Sequence, residues 1–273
     1  MHPRSNVSAS LYKRRRASLI KKLWAYFIFV LFFISLGILG LTTEEVRIKD
    51  ITVSGNISVP AEDITRIVKD EMGKVYLWII PTDNLLLLRR KEIKNDILSN
   101  IEKIGKTTIL IKAIDKIEIV VKERESKNLW CRGTPISPKD CYFMDSDGFI
   151  FEEAPKFSEG AFPEYFGLIM VDNPVGQSYF KDNFRNIYGL YSGLKNMSFQ
   201  PKYFNALSED EYEVYIFGGG KILINNKKDF ESQLINLQAL VDSNYLKTTS
   251  DGLKKIKYID LRFGNKINFE LNK

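Results

Sequence analysis

Cys131 and Cys141 stand ten residues apart in WCRGTPISPKDCYF. Two thiols across a turn-rich loop, here with Pro135 and Pro138, can oxidise to a disulfide in an oxidising compartment, and that is the leading reading. The other reading, a two-thiolate metal site, needs further ligands. The only histidine is His2, separated from the cysteines by a long apolar run. Ser-His-Asp, Cys-His and His-ligated zinc chemistry are therefore excluded beyond that run. The 34 Asp and Glu residues offer many carboxylate pairs, but none in a distinctive setting. DSDG at 145–148 begins like a calcium loop, yet Lys156 occupies the place of the closing glutamate, so it reads as a hairpin turn. GGG at 218–220 lacks phosphate-binding spacing and no helix follows directly, so it reads as a hairpin tip. These residues imply no enzyme activity, no cofactor and no metal.

The remaining chemistry is that of the backbone. KYIDLRFGNKINFELNK, at the end of the sequence, alternates apolar Ile259, Leu261 and Phe263, then Ile267, Phe269 and Leu271, with polar Asp260, Arg262, Lys266, Asn268 and Glu270. That is the period of a half-buried strand, and an unpaired strand edge offers hydrogen bonds to another chain. A two-residue hairpin at Gly264-Asn265 would set Leu261 opposite Asn268 and mix the faces. A strand bent or bulged near Gly264 keeps one apolar face, with 259–271 extended and unpaired along one side.

Composition shows what must position this strand. Residues 1–22 carry seven Lys and Arg and no acid, and 23–41 carry no charge. The remainder has 40 − 7 = 33 bases against 34 acids, a net of −1, which gives no electrostatic case for binding nucleic acid. Leu23 to Leu41 is an apolar run of 19 residues, about 28 Å as a helix and close to the ~30 Å hydrocarbon core. It is too long for a signal-peptide core and lacks a clear cleavage site, so it reads as an uncleaved anchor. The preceding bases put the N-terminus in the cytoplasm and the rest outside.

Beyond the anchor, 46–54 reads as a strand, and SVPAEDITRIVKDEMG as a helix with Pro60 in its first turn. A second helix covers about 88–99, followed by strands KTTILIKAI and KIEIVVKER. The order β-α-α-β-β makes a compact α+β domain. Residues 125–273 read as mostly antiparallel strands with a packed helix, KDFESQLINLQALVDSN. The fold class is thus α+β with one N-terminal transmembrane helix. The divisions fall at 1–22, 23–41, 44–124 and 125–273.

Taken in order, ITVSGNISVPAEDI, IEIVVKERESKNLW, YFMDSDGFIFEE and KYIDLRF resemble successive segments of the bacterial cell-division family FtsQ/DivIB. The resemblance runs over nearly the whole chain. It implies a POTRA domain at 44–124 and a second, β domain at 125–273. It also implies a non-enzymatic, single-pass scaffold of the divisome in the cytoplasmic membrane at the division septum. There the scaffold would bind FtsB-like and FtsL-like proteins outside the membrane and help to assemble and regulate septal peptidoglycan synthesis. The family adds its partner's strand to the last strands of the β domain, which implies partner contacts at Ile259, Asp260, Leu261, Arg262, Phe263, Asn265, Ile267 and Phe269. The alternatives are a POTRA-containing polypeptide-transport or envelope-assembly module, which expects several POTRA repeats, and an extracytoplasmic cell-wall enzyme.

Overall fold

The computed structural model describes residues 6–41, 43–76, 80–158, 160–180, 183–225, 227, 229–243, 246, 250–264 and 266–272. Helix α1 (Asn6–Leu41) is continuous over 36 residues, about 54 Å at ~1.5 Å per residue. Its stretch Leu19–Gly37 is long and apolar enough to cross a membrane. That window overlaps the run Leu23–Leu41 and reaches one turn further back, over Lys21 and Lys22. Trp24, Phe27, Phe32 and Leu36 are exposed along it.

The chain divides into two compact units, 1–99 with 106–122, and 100–105 with 123–273. In the first, β1 (Asp50–Ser54), α2 (Ala61–Met72), the short pair β2 (Val75–Tyr76) and β3 (Ile80–Pro81), α3 (Arg90–Asn100), β4 (Ile104–Ala113) and β5 (Lys116–Glu123) follow in order. The sheet order is β1-β5-β4, with β1 parallel to β5. Ile117, Ile119 and Val121 alternate on one buried face of β5, and Ile64, Val68 and Met72 of α2 and Ile93 and Ile97 of α3 are buried too. Both helices bury a stripe at helical spacing, which is why they form where the sequence places them. The expected strand over 46–54 is shorter. Glu44–Val46 is a 3-10 turn, and pairing starts at Asp50, whose N–H and that of Lys49 donate to Asp115 O.

The second unit holds a nine-stranded sheet. Its elements are β6 (Asn128–Thr134), β7 (Ser137–Met144), β8 (Ile150–Glu153), β9 (Glu164–Phe166), α4 (Phe184–Asn196), β10 (Pro201–Ala206), β11 (Glu211–Ile216), β12 (Lys221–Asn225), α5 (Phe230–Asp242), α6 (Ser250–Leu253), β13 (Ile256–Phe263) and β14 (Lys266–Leu271). The order is β14-β13-β12-β11-β10-β9-β6-β7-β8. Hairpin neighbours are antiparallel, but β6–β9, β9–β10 and β12–β13 are parallel, so the sheet is mixed.

Helices α4 and α5 bury one face of this sheet. Phe184, Ile187, Leu190 and Leu194 of α4 join Phe230 and Leu237 of α5 against Val214, Ile222, Ile259 and Leu261. The sequence reading did not expect α4, whose Gly189 and Gly193 weaken its helix signal. At Gly193 the two helices come close: a Cβ there would lie 2.6 Å from Leu234 Cδ1 of α5, which would have to shift. Helix α5 starts as its sequence suggests, with Asp229 accepting from the N–H groups of Glu231 and Ser232. On the opposite face Leu129, Cys131 and Phe166 pack with Cys141, Phe143 and Phe162. Cys131 and Cys141 face each other across β6 and β7 and are joined by a disulfide.

DSDG is a hairpin turn. Asp145 Oδ1 accepts from the N–H groups of Asp147 and Phe149, so this oxygen staples the turn. Among the described residues no group of three or more His, Cys, Asp or Glu could hold a metal ion.

Candidate interaction edge

The closing stretch is a hairpin, not one bent strand. Phe263 pairs with Lys266, and Gly264 turns the chain after Phe263; Asn265 lies outside the described residues. Gly264 has φ +71°, which favours glycine, and its carbonyl accepts from Asn236 Nδ2 of α5 at 3.0 Å. The face mixing expected of such a hairpin does not occur, because β13 is bulged. Leu261 and Arg262 together face Ile267, after which Asp260 pairs with Asn268 and Ile259 with Phe269. The extra residue restores apolar-to-apolar pairing.

This geometry divides the residues that the sequence brings forward. Strand β13 is interior, with β12 on one side through Tyr258–Asp260 and β14 on the other. The expectation of an unpaired edge is therefore corrected for Ile259 and Asp260, which are paired on both sides. Ile259 and Leu261 are buried in the core under the helices, and Asp260 is buried on the other face. None of these three offers a side chain to a partner. Ile267 and Phe269 lie on β14, half-buried against the core. Phe263 is 57% exposed beside the turn, with the Arg262 guanidinium 5.8 Å from its ring centre.

Asp260 and Arg262 brace the hairpin from behind. Arg262 donates from Nε to Asp260 Oδ1 at 3.0 Å and from Nη2 to Oδ2 at 2.8 Å, while Nη1 reaches Glu211 Oε2 at 3.2 Å. Burial is the largest influence on the Asp260 carboxyl and opposes its ionisation. The side-chain and backbone hydrogen bonds from Arg262, with its charge, outweigh burial and hold the carboxyl below its ordinary range. Glu213 on β11 is held low in the same way, with burial outweighed by Lys221 and Tyr215.

The two ends of the sheet differ. At β8, Ile150 N–H donates to Gln177 O, Gly176 N–H donates to Ile150 O, and Lys103 Nζ lies 2.7 Å from Glu152. The start of that edge is covered. At β14 no strand among the described residues pairs with the outer side. The edge strand alternates half-buried Ile267 and Phe269 with exposed Lys266, Asn268 and Glu270, and ends at Leu271, 40% exposed. Lys266, Asn268, Glu270 and Leu271 are edge residues that the sequence-derived site omitted, although the same alternation runs through them. An arrangement of this kind can accept a further strand through its backbone, with apolar side chains on one face and polar ones on the other.

No protein-family model and no curated protein matches this chain.

Proposed function

We propose that this protein is a single-span membrane scaffold of FtsQ/DivIB type that binds FtsB-like and FtsL-like division proteins outside the membrane by strand addition to β14. In this reading α1 is the anchor with its basic end in the cytoplasm, the first unit is the POTRA domain, and the second is the β domain. The protein acts at the division septum and performs no chemistry of its own. One observation carries the reading: the nine-stranded sheet has the start of its β8 edge covered, while no described strand pairs with the outer side of β14 along its six residues. Native sheets ordinarily blunt such an edge. Apart from the short β2–β3 pair between its helices, the first unit runs β-α-α-β-β with β1 parallel to β5, which supports the POTRA reading.

The test is titration of a labelled FtsB-like peptide with the full chain in detergent, and with Pro placed singly at 267, 268, 269 and 270. Pro removes an outward-facing N–H only at alternate positions, so binding should fail at alternate positions while the circular dichroism spectrum holds. Unchanged affinity across folded members of the series would place the interface elsewhere.

A further inference from the structure

We infer that the Cys131–Cys141 disulfide exchanges with outside thiolates at one sulfur only, Sγ of Cys141, and that Cys131 is always the leaving sulfur. The two cysteines are directly opposed in the β6–β7 ladder, with Cα atoms 4.1 Å apart, yet their surroundings are unlike. Cys131 is fully buried, enclosed with Leu129 and Phe166. Cys141 is half-buried and lines a surface cleft of about 490 Å³ with Pro138, Lys139, Pro155, Lys156 and Phe157. Cys131 does not line that cleft.

Thiolate attack on a disulfide proceeds in line with the S–S bond, from the side away from the leaving sulfur. Of the two cysteines only Cys141 lines the cleft, so Cys141 is the one an incoming sulfur meets. To reach Cys131 Sγ it would have to pass through packed side chains. A cleft of this volume falls within the ~300–1,000 Å³ range of sites that take small molecules, enough for a peptide-sized thiol or the tip of an oxidoreductase loop. Selection is steric and not electrostatic, since Lys139 and Lys156 face Asp140, Glu153 and Glu164 around the cleft, a balance of 2 − 3 = −1.

The exchange balances without any further reagent. The thiolate RS⁻ forms an RS–Sγ bond to Cys141, the Sγ–Sγ bond breaks, and its electron pair leaves on Cys131, which takes a proton from water. The sulfur of R is oxidised and Cys131 is reduced. Resealing is the reverse: Cys131 attacks Cys141 Sγ and expels RS⁻. Because Cys131 departs into apolar surroundings that disfavour a thiolate, exchange is slow as well as one-sided. The ladder persists at Leu129–Phe143 and Trp130–Tyr142, so only the tip, 132–140, loses its covalent closure. That tip carries Ile136, 89% exposed, which makes it a local redox-sensitive feature of an otherwise intact sheet.

The experiment uses the oxidised full chain in detergent. One arm receives glutathione. The other receives a thioredoxin-type oxidoreductase whose resolving cysteine is replaced by serine. Both are quenched with acid, alkylated, and mapped by peptide mass spectrometry. The mixed disulfide should fall on Cys141 in roughly tenfold or greater excess over Cys131. An adduct on Cys141 in one arm alone still supports the inference and tells which kind of thiol the cleft admits. Equal labelling of the two cysteines overturns it, as does no adduct where urea-unfolded protein reacts at both. Single variants give a second reading. Cys131 in folded Cys141→Ser should alkylate roughly tenfold or more slowly than Cys141 in folded Cys131→Ser, and equal rates would also overturn the inference.

Discussion

Arg262 binds Asp260 three times over: Nε to Oδ1 at 3.0 Å, Nη2 to Oδ2 at 2.8 Å, and its own backbone N–H to Oδ1 at 3.1 Å. The pair locks the bulge of β13, and the bulge sets the register of β14. Asp260→Asn removes the charge and should destabilise the protein by about 1.5–3 kcal/mol in urea titrations followed by tryptophan fluorescence. The pH dependence has a definite sign. The folded state holds this carboxyl low, so its contribution is fully present above the unfolded value of about 3.9 and is lost as pH falls through the lower folded value. The difference in stability between wild type and Asp260→Asn should therefore shrink below about pH 4. A difference that stays constant down to strongly acid pH would contradict this assignment.

Arg124 and Asp145 form a second brace. Nη1 lies 2.5 Å from Oδ2, Nε donates to Glu102 O at 2.9 Å, and the guanidinium sits 3.9 Å from the centre of the Phe149 ring. Both side chains are largely shielded, so Arg124→Ala leaves the Asp145 carboxylate without its counter-charge, held only by the N–H groups of Asp147 and Phe149, and a loss of about 3 kcal/mol is expected. Arg124→Lys keeps the charge but not the planar fork or the stacking, and should lose less than Ala but still measurably. Urea midpoints for the two variants check this, and an Ala variant within about 0.5 kcal/mol of wild type would refute it.

Two glycines of α4 should respond in opposite directions. A Cβ at Gly189 meets nothing within 4 Å, so Gly189→Ala should stabilise by about 0.5–1 kcal/mol through helix propensity. Gly193→Ala would press on Leu234 Cδ1 and should destabilise by about 1–3 kcal/mol. Thermal midpoints of both variants decide the matter, and equal shifts would mean α4 and α5 do not approach this closely.

Orientation is testable without purification. A reporter active only outside the cytoplasm, fused after Lys273, should be active, because seven bases precede the apolar run and none lies within it. An inactive but normally expressed fusion would reverse the topology.

The sequence was most legible where one periodicity acts alone. The stripe Ile64, Val68, Met72 and the alternation Ile117, Ile119, Val121 place α2 and β5 where the structure has them. It was least legible where packing overrides propensity. Helix α4 carries two glycines and no strong cap, and forms because Phe184, Ile187, Leu190 and Leu194 are buried with α5.

The candidate site shows the same division. Alternation from Ile259 to Leu271 is a property of the sequence, because side chains of an extended chain point to opposite faces in turn. From it came the strands, their apolar face and the expectation of an edge. It could not say which of the two strands holds that edge. A two-residue turn and a continuous strand differ in register, and a bulge can reconcile either with one apolar face. Only the tertiary structure decided that β12 takes one side of β13, that Arg262 closes on Asp260, and that no described strand takes the outer side of β14. Those outcomes depend on neighbours remote in sequence, Lys221–Leu223, Glu211 and Asn236, whose approach no local pattern encodes.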